Sequence, residues 1–405
     1  MRDTILVVRL GSCIALEVAT GILTLSAAAV GVAFAAGAIR GAPERVAAVT
    51  PGAIRPGVVD AMAPGPGPGA GVVPGPGSAA VATHVVPPGG AVEVAPSPTR
   101  DAGVVAPAGS LEPIWTFIDQ PDEALLAPIR DGSVARVKFN GGGSSLSMRL
   151  EFEDGSKAAF KPDQTHRHSN PRKEIAAYRI DRLLGLGRVA PAIGRTFPYR
   201  ELQNKIASSH REYAHRLDEE ATPKNGQLRG ELSWWIPVLG VGRVEGGYKI
   251  DSAEGVNRWK KWLHLDAEIP PDQLPMVQQL SNVTAFDFLI DNLDRWSGGN
   301  ANTTEDGSTL YFMDNTMAFS TDGRGARKSY GNLERVEKFS RGLVTRLRAL
   351  SKDSVQEVLT RDPGPYQELL TGTEIDALLG RRDALLKYID DLIAAHGEDK
   401  VLAFP

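Results

Sequence analysis

A long stretch of low-complexity sequence limits where this chain can form a folded core. Residues 41 to about 111 consist mainly of Pro, Gly, Ala and Val, and they include the repeat Pro64-Gly65-Pro66-Gly67-Pro68-Gly69. Such a composition buries too little apolar surface to offset the conformational entropy that folding removes. We therefore predict a flexible linker over residues 41–111. The folded region then begins near Glu112 and contains about 290 residues.

An apolar segment precedes this linker. The 22 residues from Val18 to Ile39 carry no charge, which is long enough for a helix to cross a bilayer. Three interpretations stay open: a transmembrane anchor, a signal peptide cleaved near residues 33–35, or a buried helix. Because disorder-like sequence follows, we favour a transmembrane or signal segment in residues 1–40. We expect a membrane-anchored or exported protein, with its orientation open because arginines flank the segment on both sides.

Charge and cysteine content argue against a nucleic-acid partner and against cross-links or zinc sites built from cysteine. The formal net charge is −4, and no basic stripe is present, so we predict no nucleic-acid partner. Cys13 is the single cysteine, so the chain cannot form an internal disulfide or a cysteine-based zinc site. Hydrophobic residues make up 42% of the sequence, which is enough for a packed core without covalent cross-links.

The folded region opens with a glycine-rich turn and a predicted hairpin. Alternating apolar residues predict a strand from Leu146 to Phe152, and Asp154-Gly155 predicts a tight turn into a second strand that ends at Lys161. In protein kinases, a lysine in a comparable setting lies beneath a glycine-rich loop and binds nucleotide phosphates. A flexible turn and a solvated edge lysine are the alternatives. The residues that we predict here to bind ATP are Gly141, Gly142, Gly143, Ser144 and Lys161.

A helix is predicted next. Asn170-Pro171 is a favourable helix start, and Gly185 can close the helix after Leu184. Glu174 lies in the first turn, where it is placed to meet Lys161 or a metal ion, so we add it to the predicted ATP site. The alternative is an ordinary acidic residue that stabilises the helix dipole.

Two aspartates of the C-terminal half have a spacing typical of kinases. An amphipathic helix is predicted from about Ser281 into Asn292, and a polar loop containing Asp294 follows it. A short apolar strand, predicted over residues 309–313, then delivers Asp314, which lies 20 residues after Asp294. Kinases place a catalytic base and a metal-binding aspartate in this way, with an asparagine between them.

Phosphoryl transfer explains why these residue types are needed. The reaction needs an acceptor for the proton of the substrate hydroxyl, and it needs oxygen ligands for Mg²⁺ or Mn²⁺. We predict Asp294 as the catalytic residue, and Asp314 with Asn300 as metal ligands. Asn302 is the alternative to Asn300, and two ordinary turn aspartates are the alternative for the pair.

The combined motifs resemble the secretory-pathway kinases related to four-jointed and the Golgi casein kinase, the group called family with sequence similarity 20. The matching segments occur in the same order over roughly residues 138 to 320. They are Gly142-Gly143-Ser144-Ser145-Leu146, Ala159-Phe160-Lys161-Pro162, residues 174–184, Val189-Ala190-Pro191, Arg229-Gly230-Glu231-Leu232, Trp235-Ile236-Pro237, residues 286–295 and Met313-Asp314-Asn315.

This resemblance implies an atypical kinase fold and ATP use that depends on a divalent metal. It implies that Lys161 contacts the phosphates and that Glu174 pairs with the lysine or a metal. It also implies that Asp294 is catalytic and that Asp314 binds metal. Relatives in this group act on secreted proteins or proteoglycan sugars.

Three departures from the group mean that the substrate is not carried over. The relatives carry disulfides, whereas the folded region here contains no cysteine. Trp296 follows Asp294-Arg295, where the group often has histidine, and Thr316 follows Asn315, where glycine is usual.

The sequence thus predicts an α+β, two-lobed protein-kinase-like fold, preceded by the membrane or signal helix and the disordered linker. The β-rich lobe is predicted over residues 112–240 and the helical lobe over 241–405. The predicted activity is ATP- and divalent-metal-dependent transfer of the γ-phosphate to a hydroxyl of a protein Ser/Thr or a sugar. One alternative is a pseudokinase that acts as a membrane-tethered nucleotide-binding or scaffold module. Another is a globular domain unrelated to kinases, in which the four predicted site residues do not converge on one cleft.

Overall fold

The computed structural model describes residues 111–141, 143–296 and 299–405. All of them belong to one unit, Pro96–Pro405. The predicted segment in residues 1–40, and the predicted linker except for its last residue, lie outside the described residues. In the part of the chain that is described, no helix has the length and apolar character needed to cross a membrane.

Strands concentrate in the first half of the described region. In chain order they are β1 (Thr116–Phe117), β2 (Gln120–Pro121), β3 (Val134–Phe139), β4 (Met148–Phe152), β5 (Lys157–Pro162), β6 (Ala192–Pro198), β7 (Gln227–Trp234), β8 (Gly240–Val241), β9 (Arg243–Val244), β10 (Tyr248–Lys249) and β11 (Asn302–Thr303). Five of them form an antiparallel sheet in the order β3-β4-β5-β7-β6.

Helices dominate the second half. In chain order the helices are α1 (Asp122–Asp131), α2 (Pro171–Leu183), α3 (Tyr199–Asn204), α4 (Ala214–Glu220), α5 (Ala253–Trp262), α6 (Leu274–Ile290), α7 (Arg327–Leu333), α8 (Arg341–Ala349), α9 (Lys352–Thr360), α10 (Gly372–His396) and α11 (Glu398–Val401). The α+β content agrees with the predicted fold class, while the lobe boundary between residues 240 and 241 stays a prediction.

The predicted hairpin forms as β4 and β5. Met148, Leu150 and Phe152 are buried, whereas the residues between them are partly exposed, as the alternation predicts. The strand begins at Met148, two residues later than predicted. Its turn contains Gly155 at φ +87°, a left-handed conformation that favours glycine.

The predicted helix after Asn170 forms as α2, but it is buried on all sides. The residues from Glu174 to Leu183 are all buried, including the polar residues Tyr178 and Asp181. The polar side of α2 is buried because α1 packs against it: Arg182 of α2 donates to Asp122 of α1 at 2.6 Å.

The C-terminal half differs from the sequence prediction at two points. The helix predicted from Ser281 begins earlier, at Leu274, and ends at Ile290, with Asp291 in a left-handed conformation (φ 56°). The strand predicted over residues 309–313 does not form. Leu310 makes only an isolated bridge to Thr303, and the Phe312 N–H donates to the Arg188 carbonyl at 3.0 Å. The Tyr311 N–H donates to the Asn302 carbonyl at 2.9 Å, so β11 holds the start of the apolar run and a different segment holds Phe312.

A glycine in β7 gives a direct test of the sheet's packing. A Cβ on Gly230 would lie 2.4 Å from the Lys161 carbonyl oxygen and 2.6 Å from Phe160 Cε2. We expect Gly230→Ala to lower the free energy of unfolding by about 1–3 kcal/mol, because backbone and core atoms must move. Urea denaturation measures this loss.

Gly331→Ala is the matched control. Gly331 lies within α7, and its added Cβ meets nothing within 4 Å. This variant should be as stable as wild type or gain up to about 1 kcal/mol, since alanine favours a helix more than glycine does. Equal effects from the two alanines would contradict the packing described for β7.

Candidate active site

An ion pair joins the two halves of the described chain. Lys161 Nζ, on β5, lies 2.8 Å from Asp314 Oδ1 although the residues are 153 positions apart. Thr316 Oγ1 donates to the same oxygen at 2.9 Å. Burial opposes ionisation of Asp314, but Lys161 lowers the pKa of this carboxyl below its ordinary value. The carboxylate is therefore the form that this arrangement stabilises.

Glu174 reaches the same cluster from α2. Its Oε2 accepts from the Asn315 backbone N–H at 2.7 Å, and its Oε1 accepts from Asn315 Nδ2 at 2.9 Å. Glu174 was predicted to meet Lys161 or a metal ion; here its hydrogen bonds hold the residue beside Asp314. Burial raises the pKa of Glu174, and the charge of Lys161 acts in the opposite direction.

Glu231 is a third acid of the cluster, and the sequence interpretation gave it no role. It lies directly opposite Lys161 in the pairing of β5 with β7, so both side chains project from the same face of the sheet. Its side chain is fully buried, and neither carboxylate oxygen has a hydrogen-bond partner within the described residues. Burial, followed by the charge of Glu174, raises the pKa of Glu231 to about 8.

Lys161 faces all three of these acids. Burial disfavours its ammonium form, but the charges of Asp314, Glu174 and Glu231 raise its pKa above the ordinary value for lysine. We name Lys161, Glu174, Glu231 and Asp314 the charge cluster. It brings together three predicted site residues and one that the prediction missed.

Asp294 and Asn300 lie in the loop after α6. Asn300 Nδ2 donates to Asp294 Oδ2 at 3.2 Å and to the Asp294 carbonyl at 3.1 Å. The Asp294 N–H donates to Asn292 Oδ1 at 3.0 Å, and Asn292 Nδ2 donates to the Asp314 carbonyl at 3.1 Å. Asn292 thus connects the loop that contains Asp294 to the backbone of Asp314.

A buried ion pair fixes the base of this loop. Arg295 is fully buried, and its Nη2 donates to Asp287 Oδ1 of α6 at 2.9 Å. The same nitrogen donates to Asn315 Oδ1 at 2.8 Å, and Nη1 donates to the Met313 carbonyl. Arg295 therefore contacts residues on both sides of Asp314, which limits how far Asp294 and Asp314 can move apart.

The glycine-rich turn occupies the connection between β3 and β4. Gly141, Gly143 and Ser144 are exposed there, and Gly143 has φ +104°. Gly142 lies outside the described residues. An added Cβ on Gly141 or Gly143 would meet nothing within 4 Å, so the fold itself does not require glycine at these positions for space. The prediction that Gly141 and Gly143 let a ligand approach the backbone closely stays a prediction.

The charge cluster fits a divalent cation. It contains three carboxyl groups and one ammonium group, so complete ionisation leaves two uncompensated negative charges. Both carboxyl oxygens of Glu231 are buried without a hydrogen-bond partner in the described residues. No set of three or more His, Cys, Asp and Glu side chains arranged to hold a metal occurs among the described residues. Magnesium sites built from one or two carboxylates together with substrate phosphates do not need such a set.

Solved structures define the fold class. The crystal structure of the Golgi casein kinase aligns with a TM-score of 0.55 and 17% identity, covering 70% of this chain and 78% of that chain. The structure of hydra Fam20 with sugar aligns with a TM-score of 0.54 and 17% identity, covering 72% and 95%. The described region therefore has a kinase-like fold, which confirms the predicted fold class.

Curated proteins give the group within that class. The extracellular serine/threonine protein kinase FAM20C of Homo sapiens is 22% identical over 334 residues, covering 69% of this chain and 56% of that protein. The pseudokinase FAM20A of Mus musculus is 25% identical over 330 residues, covering 70% and 60%. The glycosaminoglycan xylosylkinase of Danio rerio is 23% identical over 325 residues, covering 70% and 79%. No protein-family model matches the chain.

These relatives match the FAM20 group of atypical kinases, which confirms the resemblance predicted from the sequence. The chain spans 56% and 60% of the length of the first two. Active kinases and a pseudokinase both occur among them, so the question of activity depends on the site residues.

The raised pKa of Glu231 predicts a pH dependence of stability. The folded pKa is about 8, against an ordinary value of 4.5. Between these values the native state holds one more proton than the unfolded state, so stability falls as pH rises through this window. We expect the free energy of unfolding of wild type to fall, relative to Glu231→Gln, by up to about 1.4 kcal/mol per pH unit.

Urea denaturation at pH 5.5, 6.5 and 7.5 measures this difference. Glu153→Gln is the control, because Glu153 is exposed in the turn between β4 and β5. Its stability should parallel that of wild type across the series. Parallel curves for Glu231→Gln as well would show that Glu231 does not hold its proton in the folded state.

Proposed function

We propose that this protein is an atypical kinase, which transfers the γ-phosphate of ATP to a hydroxyl group with the help of Mg²⁺ or Mn²⁺. The observation that carries the proposal is the contact between Lys161 Nζ and Asp314 Oδ1 at 2.8 Å, within reach of the loop that holds Asp294. A phosphate-binding lysine, a metal-binding aspartate and a proton-accepting aspartate are the parts that this reaction needs. The kinase-like fold supports the same assignment.

Asp294 is the residue that accepts the proton of the substrate hydroxyl. Its Oδ2 receives a hydrogen bond from Asn300, and its backbone N–H is held by Asn292. These contacts orient the carboxylate without a cationic partner, so the group stays available as a base.

Asp314 and Asn300 are the residues that hold the metal. Lys161 and Thr316 both donate to Oδ1 of Asp314, which leaves Oδ2 as the oxygen for a cation. Asn300 uses its amide nitrogen for Asp294, which leaves its amide oxygen for the same purpose. A bound divalent cation supplies positive charge that stabilises the negative charge of the phosphates during transfer.

Lys161 and the glycine-rich turn hold the nucleotide phosphates. Glu174 is already bonded to Asn315, whereas Glu231 faces Lys161 across the sheet and has no donor of its own among the described residues. We assign Glu231 as the acid that keeps Lys161 in place when Asp314 binds metal. Gly141, Gly142, Gly143 and Ser144 then close over the phosphates from the connection between β3 and β4.

The acceptor class follows from the relatives by name. They include a serine/threonine protein kinase and a glycosaminoglycan xylosylkinase, so we assign a protein Ser/Thr or a sugar hydroxyl as the acceptor. A relative named as extracellular supports export or membrane anchoring through residues 1–40. We also keep the predicted relation to the four-jointed kinases as part of this proposal. We assign the ATP-binding cleft to the junction between the predicted β-rich lobe (residues 112–240) and the predicted helical lobe (residues 241–405).

Turnover and binding by point variants test the proposal. The full chain is incubated with ATP and Mn²⁺ or Mg²⁺, and autophosphorylation, ATP hydrolysis and nucleotide affinity are measured. Asp294→Asn should bind metal and ATP as wild type does but lose turnover by about 100-fold or more, because the proton acceptor is gone. Asp314→Asn should lose metal-dependent nucleotide binding itself.

Asp399→Asn is the matched control, because the Asp399 side chain is fully exposed (100%). This variant should behave like wild type in both measurements. Metal-dependent binding without turnover by wild type would establish the pseudokinase alternative. Binding that is unchanged in Asp314→Asn would contradict the assigned metal site.

A further inference from the structure

A cavity of about 430 Å³ lies apart from the charge cluster. Its walls come from the chain that leaves α2, from α6 and from α8. Lys161, Glu174, Glu231, Asp294 and Asp314 are not among its lining residues. The volume is within the range of small-molecule sites in proteins.

Two arginines line this cavity without a salt bridge to any carboxylate of the described residues. No hydrogen bond joins the guanidinium of Arg188 to another described residue, and that of Arg346 donates to the carbonyls of Leu183, at 2.7 Å, and Glu112. Burial lowers the pKa of both arginines, and for Arg188 the charges of Asp181 and Asp119 do not offset this effect.

The carboxylate nearest in sequence to Arg188 is already engaged. Asp181 accepts from the guanidinium of Arg182 and from the backbone N–H of Arg188 at 3.0 Å. Arg188 is partly exposed and lines the cavity, so an anionic ligand there would accept a charge-assisted hydrogen bond from its guanidinium. The cavity therefore favours an anion beside Arg188.

A third polar group of the wall needs a donor. Asn282, on α6, lines the cavity, and its Oδ1 is buried with no hydrogen-bond partner in the described region. An anion alone, such as sulfate, has no proton to offer this oxygen. A ligand that carries both an anionic group and a hydroxyl would offer an acceptor to Arg188 and a donor to Asn282.

We propose that this cavity is a binding site for a small hydroxylated anion, a phosphomonoester or a hydroxycarboxylate, distinct from the nucleotide site. The proposal does not depend on the proposed kinase activity.

The cavity also has a direct connection to Asp314. The Phe312 N–H donates to the Arg188 carbonyl at 3.0 Å, and the Phe312 carbonyl accepts from Asn315 Nδ2 at 3.0 Å. Phe312 itself lines the cavity. The wall beside Arg188 is thus hydrogen-bonded to the segment that leads to Asp314.

Ligand titration of the full chain without nucleotide tests the site. The probes are glycerol 3-phosphate, citrate and inorganic sulfate at constant ionic strength, with glycerol as the uncharged control. Calorimetry and thermal denaturation follow binding. We expect saturable binding of glycerol 3-phosphate and citrate, weaker binding of sulfate, and none of glycerol. Equal affinity for all three anions would overturn the role of Asn282.

Variants separate this cavity from the nucleotide site. Arg188→Gln should weaken the binding of glycerol 3-phosphate by about tenfold or more, since a charge-assisted hydrogen bond is lost. Arg324→Gln, whose side chain is 95% exposed, should bind as wild type does and controls for net charge. Lys161→Met should also retain binding. Loss in Lys161→Met with full retention in Arg188→Gln would place the ligand at the nucleotide site and overturn the proposal.

Discussion

The ammonium group of Lys161 stabilises an arrangement of acids that would otherwise repel one another. It is hydrogen-bonded to Asp314 and lies in the electrostatic field of Glu174 and Glu231. Removing a cation from such a cluster leaves uncompensated charge in a partly buried site, which is more costly than losing an exposed salt bridge. Lys161 belongs to the sheet and Asp314 to the helical half. Their ion pair therefore also fixes the position of one half against the other.

Next to the charge cluster, Arg295 performs a corresponding task with one carboxylate and several neutral acceptors. It pairs with Asp287 of α6 and uses its remaining hydrogens for carbonyl and amide oxygens around Asp314. Arginine suits this position because its planar guanidinium donates in several fixed directions at once. The loop that carries Asp294 is thereby tied to a long helix on one side and to Asp314 on the other. If Asp294 and Asp314 have the proposed roles, a base and a metal ligand held in this way need little rearrangement before reaction, which is how preorganised sites lower a barrier.

The parts of the fold that follow local rules could be predicted from the sequence. Alternation in residues 148–152 and the Asn-Pro start of α2 identify elements whose signals lie within a few residues. The role of Glu231 could not be predicted, because it depends on which residue of β7 lies opposite Lys161, a pairing between distant segments. The extended run before Asp314 is not a continuous strand, because the Tyr311 N–H bonds to Asn302 nearby in sequence whereas the Phe312 N–H bonds to the distant Arg188.

The departure from the group's pattern at residue 316 has a physical consequence in this site. Asp314 has φ 53°, a left-handed conformation that costs free energy in a residue other than glycine. Lys161 and Thr316 offset this cost by donating to Oδ1, and Asn292 donates to the carbonyl of the same residue. A glycine at position 316 could not supply the hydroxyl. Since both side-chain donors use Oδ1, the exchange strengthens the hold on Asp314 while Oδ2, the oxygen that a metal would need, stays available.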